Sequence, residues 1–178
     1  GHSDLVAGAL VTRENDAMWQ RIRTVRAQLG GTLGSFESFL LLRGMRTLYV
    51  RVRHASASAM KIATHFAAHP LVEKVLYPGL PDFPGHEVAA RQMHGGFGGM
   101  MSICARGGEA AAIATAAEVQ LWKRATSLGG TESLIEHRAS VEGAGTPAPT
   151  NLLRLSVGLE DADDLIADLE AALAAAHR

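Results

Sequence analysis

The sequence predicts an α/β chain in two parts, the end of one domain over residues 1–70 and a compact α/β sandwich over residues 71–178. Three observations point there. After Pro70, short apolar runs alternate with helical patterns, the order expected of strands and helices layered around one core. Before Pro70 there is one strand-like run and three helical patterns, which cannot close a core alone and read as part of a larger domain. The composition, 47% hydrophobic and 20% charged with much alanine and few aromatics, is that of a soluble globular protein with well-packed helices and excludes a disordered chain.

The elements follow in order. Leu5-Val6-Ala7-Gly8-Ala9-Leu10-Val11 reads as a buried strand that needs neighbours. Asn15 or Asp16 can cap a helix whose face is Met18, Ile22, Val25 and Leu29, stopped by Gly30-Gly31. Ser35 can cap a short helix, Phe36 to Arg43, broken at Gly44. A long alanine-rich helix spans about Arg46 to His69, its stripe being Leu48, Val52, Ala55, Ala59, Ile62 and Phe66, until Pro70 ends it. Beyond the boundary, strands are predicted at Val72 to Tyr77, Gly98 to Ala105, Leu121 to Thr126, Ser133 to Glu136 and Leu152 to Val157. Helices are predicted at His86 to Met93, Glu109 to Glu118 and Asp161 to Ala175, and residues 143–150 read as irregular. The last helix carries Leu165, Leu169 and Leu173 on one face and acidic residues at its start, where the helix dipole favours them.

A formal net charge of -1, with the arginines spread along the chain, gives no basic field for nucleic acid or anionic lipid, and neither partner is expected. Cys104 is the single cysteine and lies in an apolar run, so a buried structural thiol in a reducing compartment fits best. No apolar run approaches the length that crosses a bilayer, and there is no charged-then-apolar leader, so the cytoplasm is the expected location.

Metal binding is not expected. Among eight histidines only His65 and His69 share helical i, i+4 spacing, and they sit where histidines complement a helix C-terminus. The glycine turns Gly95-Gly96-Phe97-Gly98-Gly99 and Gly129-Gly130 lack both the strand-glycine-helix order and the lysine of a phosphate cradle. The informative stretches are Thr126-Ser127-Leu128-Gly129-Gly130-Thr131-Glu132-Ser133-Leu134-Ile135 and Leu152-Leu153-Arg154-Leu155-Ser156-Val157-Gly158-Leu159-Glu160-Asp161. Arg154 interrupts an apolar strand, and a charge there must be solvated, paired or functional. Its guanidinium fork matches a carboxylate with two parallel hydrogen bonds. From the residues alone, an internal ion pair to Glu132 or Glu160 and ligand binding stand level.

Both stretches resemble the closing motifs of the Cys/Met-metabolism enzymes that use pyridoxal 5'-phosphate (PLP), the family of cystathionine γ-synthase, cystathionine γ-lyase and methionine γ-lyase. The resemblance extends to Leu41-Leu42-Arg43-Gly44-Met45-Arg46-Thr47-Leu48 and to Gly1-His2-Ser3-Asp4-Leu5-Val6-Ala7-Gly8, so it covers essentially the whole chain. It implies the C-terminal part of an aspartate-aminotransferase-like, fold type I transferase: residues 1–70 the remainder of the large PLP-binding domain, residues 71–178 the small C-terminal domain. It further implies that Arg154 binds the substrate's α-carboxylate and that Ser127 helps to hold it. Thr126 occupies the position before that serine, where a glutamate commonly reaches the distal amino group of cystathionine. Arg138 stands where proline is usual.

The family's lysine motif, Ser-x-Thr-Lys-aromatic-aliphatic-x-Gly-His-Ser, ends on residues matching Gly1, His2 and Ser3, which puts the Schiff-base lysine four residues before Gly1. Gly-His-Ser is also a tag remnant, although Asp4-Leu5-Val6-Ala7-Gly8 continues the family pattern. Lys61, Lys74 and Lys123 are the chain's only lysines, and none lies in such a motif, so no catalytic residue is expected within the chain and the chain alone is expected to be inactive. The implied reaction is transsulfuration of the cystathionine γ-synthase or γ-lyase type on an amino-acid substrate. O-acylhomoserine sulfhydrylase or methionine γ-lyase chemistry is the alternative, and a non-catalytic assembly fragment is a reading of another class. The implied partners are the N-terminal half of the same enzyme and further copies, since the family is typically homotetrameric.

Overall fold

The computed structural model describes residues 1–178, which form two compact units, His2–Leu48 and Gly1 with Tyr49–Arg178. In the first unit, helix α1 (Ala17–Leu29) starts where the Asp16 carboxylate accepts the Trp19 N–H at 2.9 Å. It ends at Gly30, whose φ of 72° is the left-handed turn that glycine adopts without cost. Helix α2 (Ser35–Met45) has Gly34 rather than Ser35 at its cap position, and Gly44 is absorbed into its last turn. Neither helix buries a residue within the unit.

The strand expected at Leu5 to Val11 does not form: these residues have no regular structure, and Val6 and Val11 are 95% and 92% exposed. A strand is held by its neighbours' hydrogen bonds, and no segment of this unit offers an edge. Gly8, Leu10, Met18, Ile22, Val25 and Leu29 instead line an open, largely apolar groove.

From Tyr49 on, helix α3 (Leu48–Phe66) belongs to the second unit and buries Ala59, Ile62, Ala63 and Phe66, the i, i+3, i+4, i+7 stripe of an amphipathic helix. Alternation then gives β1 (Val72–Leu76), α4 (His86–Gln92), β2 (Met100–Ala105), α5 (Gly108–Glu118), β3 (Lys123–Arg124), β4 (Leu134–His137), α6 (Arg138–Glu142), β5 (Leu152–Ser156) and α7 (Ala162–Ala176). The strands form one sheet in the order β1-β2-β5-β4-β3, antiparallel except for the β3–β4 pair. The strand expected over Leu121 to Thr126 shrinks to two residues, because the N–H groups of Gln120, Leu121 and Trp122 turn to the Asp168 carboxylate instead of a ladder. Helix α6 lies outside every predicted element. It is too short to show a period, and His137 caps it by accepting the Ser140 N–H.

One face of the sheet carries Ile103, Leu153, Leu155 and Ile135, all fully buried in a core with Ala112 and Ala116 of α5 and Leu165, Leu169 and Leu173 of α7. Helix α3 is tied to α7 by an ion pair from Lys61 to Asp163 (2.6 Å) and a hydrogen bond between His65 and Glu170 (2.7 Å). No helix is long and apolar enough to cross a membrane.

Candidate functional site

Residues directly opposite one another on paired strands point to the same face of the sheet. The register sets Ser102 of β2 and Glu136 of β4 on either side of Arg154 in β5. The row therefore lies on the face away from Leu153 and Leu155, which alternate with Arg154 along β5. Arg154 sits at the middle of the sheet with its side chain 18% exposed, beside a Glu136 carboxylate only 4% exposed.

Arg154 donates from Nη1 to Glu136 Oε1 at 2.9 Å. The same oxygen accepts Nη1 of Arg138 at 2.9 Å, and Oε2 accepts the hydroxyl of Thr126. Burial alone would raise the Glu136 pKa, but the hydrogen bonds from Thr126, Arg154 and Arg138 outweigh it and hold the carboxyl below its ordinary value, hence ionised. Arg138 also reaches Glu142, one helical turn on, with Nη2.

The ion pair that the sequence left level with ligand binding is made, but to Glu136 rather than to Glu132 or Glu160. The antiparallel β4–β5 register brings Glu136 opposite Arg154, whereas the other two acids are committed elsewhere. Glu160 accepts the Ser133 N–H (2.9 Å) and hydroxyl (2.7 Å), and Glu132 accepts the Thr131 hydroxyl.

These bonds also join the two long motifs. Ser133 Oγ accepts the Gly158 N–H at 2.8 Å, and Leu159 N–H reaches Thr131 O at 2.9 Å. A β-carbon at Gly158 would lie 2.4 Å from the Thr131 oxygen, so only glycine permits this approach. The turn that carries Thr126 and Ser127 is thereby fixed at its far end to the end of β5. At its near end, Ser127 Oγ accepts the Gly129 N–H at 3.1 Å and the side chain is half-buried. Thr126 thus meets Arg154 through Glu136, while no hydrogen bond joins Ser127 to either.

The buried imidazole of His137 anchors the other flank. Its Nε2 lies 2.6 Å from Thr150 O, which can only accept, so Nε2 carries the proton and Nδ1 accepts from Ser140. The loop before β5 is pinned to α6 in this way.

The chain's lysines all lie away from Arg154 in their contacts. Lys61 pairs with Asp163, Lys123 donates to the Gln120 carbonyl at 3.3 Å, and Lys74 is exposed on β1 at the sheet's edge.

A model of the Cys/Met metabolism PLP-dependent enzymes matches residues 1–174. Cystathionine γ-synthase of Mycobacterium tuberculosis is 47% identical over 97% of this chain and 45% of its own length. L-methionine γ-lyase of Pseudomonas deceptionensis is 43% identical over 98% of this chain and 46% of its own. Among solved structures, cystathionine γ-synthase of Xanthomonas oryzae pv. oryzae in complex with aminoacrylate and cysteine superposes with a TM-score of 0.90 at 44% identity, over 99% of this chain and 47% of that one. Yeast cystathionine γ-lyase gives 0.91 at 38% identity, over 100% and 48%. The chain spans about half the length of the curated relatives it matches.

Proposed function

The chain belongs to the Cys/Met-metabolism PLP-dependent enzymes, a family whose fold type I architecture its neighbours share, and from that premise we propose that it forms the substrate-carboxylate side of a transsulfuration enzyme of the cystathionine γ-synthase or γ-lyase type. The observation that carries the proposal is Arg154: a guanidinium in the middle of a buried sheet, partly open, held through one nitrogen while its remaining N–H groups stay available.

In this reading those N–H groups take the α-carboxylate of the amino-acid substrate in a bidentate pair, each charge-assisted bond contributing about 1.5–3 kcal/mol. Two parallel bonds fix an orientation as well as a position, so the bonds around the substrate's Cα meet the reacting group at one angle. Ser127, at the end of the clipped turn, adds a hydroxyl toward the same carboxylate. Thr126 completes the proposed set: its proton goes to Glu136, which leaves its oxygen lone pairs for a substrate donor. Where the resembling γ-synthases and γ-lyases commonly have a glutamate, this chain presents a neutral hydroxyl. That favours, as a second reading, the sulfhydrylase or methionine γ-lyase types, whose substrates place less demand on a distal ammonium group.

PLP, bound through a lysine, supplies the electron sink of the family's chemistry. The groups of this chain do not fit that attachment, since Lys61, Lys74 and Lys123 have other partners or face solvent. We accordingly place the Schiff-base lysine ahead of Gly1-His2-Ser3 in the complete protein, with residues 1–70 closing its large domain and residues 71–178 forming its small one. The exposed apolar residues of the first unit support this, because such a groove is covered when a helix belongs to a larger core. On the same reading the chain alone is inactive, and the complete enzyme is a homo-oligomer of the cytoplasm.

Complementation tests the proposal. The chain mixed with a separately produced N-terminal half carrying the lysine motif should bind PLP and release ammonia and a 2-oxoacid, or form cystathionine. Chemistry by the chain alone with PLP would refute it, provided borohydride fixed the cofactor on Lys61, Lys74 or Lys123.

A further inference from the structure

Glu136 receives donors from three separate places: Arg154 on β5, Arg138 at the start of α6 and Thr126 in the turn after β3. We propose that Glu136 is the positioning residue of the Arg154 site, setting the guanidinium in the orientation that takes a substrate carboxylate, with Arg138 and Thr126 as the ties that fix Glu136 itself. The inference rests on reading Arg154 as the carboxylate anchor and names what makes that anchor rigid.

An arginine on a sheet surface has four rotatable bonds and loses substantial rotamer freedom when ordered. Here that ordering precedes ligand binding. Glu136 is almost fully buried, is directly opposite Arg154 across the ladder, and cannot swing away without abandoning its other two donors. The two oxygens divide the work, Oε1 holding both guanidinium groups and Oε2 the threonine hydroxyl.

Charge balance gives the second argument. The Nη1 atoms of Arg138 and Arg154 each lie 2.9 Å from one oxygen, so they are no more than twice 2.9 Å apart. Two guanidinium groups at that separation repel unless an anion lies between them. Glu136 is that anion, and Glu142 takes the other end of Arg138. Arg138 is thus neutralised on both sides by its own neighbours. Arg154 shares a single carboxylate oxygen and keeps the charge that an incoming carboxylate needs.

The test uses the complete holoenzyme and the substitutions Glu136→Gln, Arg138→Ala and Arg154→Ala. Glu136→Gln should raise KM about tenfold for every amino-acid substrate while kcat stays within about twofold, the loss of one charge-assisted bond's worth of ordering. Arg138→Ala should raise KM less, about threefold. Combining Glu136→Gln with Arg154→Ala should be no worse than Arg154→Ala alone, because the two act as one unit. A purely structural role would lower the folded fraction and leave the KM of the folded enzyme unmoved. Unchanged KM in Glu136→Gln with a raised KM in Arg154→Ala overturns the positioning role and leaves the anchor standing. Unchanged KM in Arg154→Ala overturns both. Should Glu136→Gln fail to fold, Arg138→Ala decides by the same criterion, since its side chain is at the surface end of the network.

Discussion

Replacing Tyr77 by phenylalanine removes one oxygen and, with it, two opposing contributions to stability. The ring is fully buried, and its hydroxyl lies 2.9 Å from Gly98 O and 3.3 Å from Ser56 O, where β1 meets α3 and the glycine turn before β2. A hydroxyl has one proton, so the shorter contact is the principal bond, and losing it costs about 1 kcal/mol. Burial also pushes the Tyr77 pKa from 10.0 to about 12. The folded state therefore keeps a proton that the unfolded chain releases, and stability falls as pH rises through this window. With those two values the decline is about 1 kcal/mol by pH 11 and about 2–3 kcal/mol once pH exceeds 12. Tyr77→Phe should thus be less stable than the parent near neutrality and overtake it at about pH 11, where the two terms cancel. Urea unfolding at steps from pH 8 to 11.5, parent against variant, reads the difference directly, because every other titrating group is common to both. Parallel curves with no crossing would refute both the burial of the phenol and the sign of its linkage.

Two further predictions concern the frame of the site. The Asp168 carboxylate accepts N–H groups from Gln120, Leu121 and Trp122, and Asp168→Asn should cost about 1–3 kcal/mol, measured as a lower urea midpoint together with altered Trp122 fluorescence. Glu136 has a folded pKa below the ordinary glutamate value, so its stabilisation is complete above that value and is lost as pH falls through the lowered one. The parent should accordingly lose stability on acidification below the usual carboxylate range more steeply than Glu136→Gln, and equal acid slopes in urea titrations would contradict the three-donor arrangement.

The elements whose residues signal themselves were legible in the sequence. Asp16 and Gly30 bound α1 as capping chemistry requires, the Leu165, Leu169, Leu173 face marks α7, and Ala59, Ile62 and Phe66 of the predicted stripe mark α3, whereas Leu48 and Val52 of that stripe are exposed. What depends on distant partners was not. Leu5 to Val11 has a strand's composition and no edge to pair with, and Lys123 and Arg124 are all that remain of a longer predicted strand because Asp168, far along the chain, captures its entrance. The site divides in the same way. Arg154 stands out because a charge in an apolar strand is conspicuous. Glu136 does not, and Arg138 is marked only as a departure from the family pattern, since which acid lies opposite Arg154 is a matter of strand register, which β4, β5 and the α6 connection between them set jointly. A single signal was available: Glu136 directly follows the apolar pair Leu134-Ile135 in a predicted strand, and two charges in buried neighbouring strands call for each other.

The steady-state kinetics of Arg154→Ala in the complete enzyme are the direct test of the proposed anchoring of the substrate's α-carboxylate by Arg154. Loss of the bidentate pair, at about 1.5–3 kcal/mol per bond, should raise KM by at least about a hundredfold for every amino-acid substrate, whatever its side chain. An unchanged KM in a folded, PLP-loaded variant would contradict it.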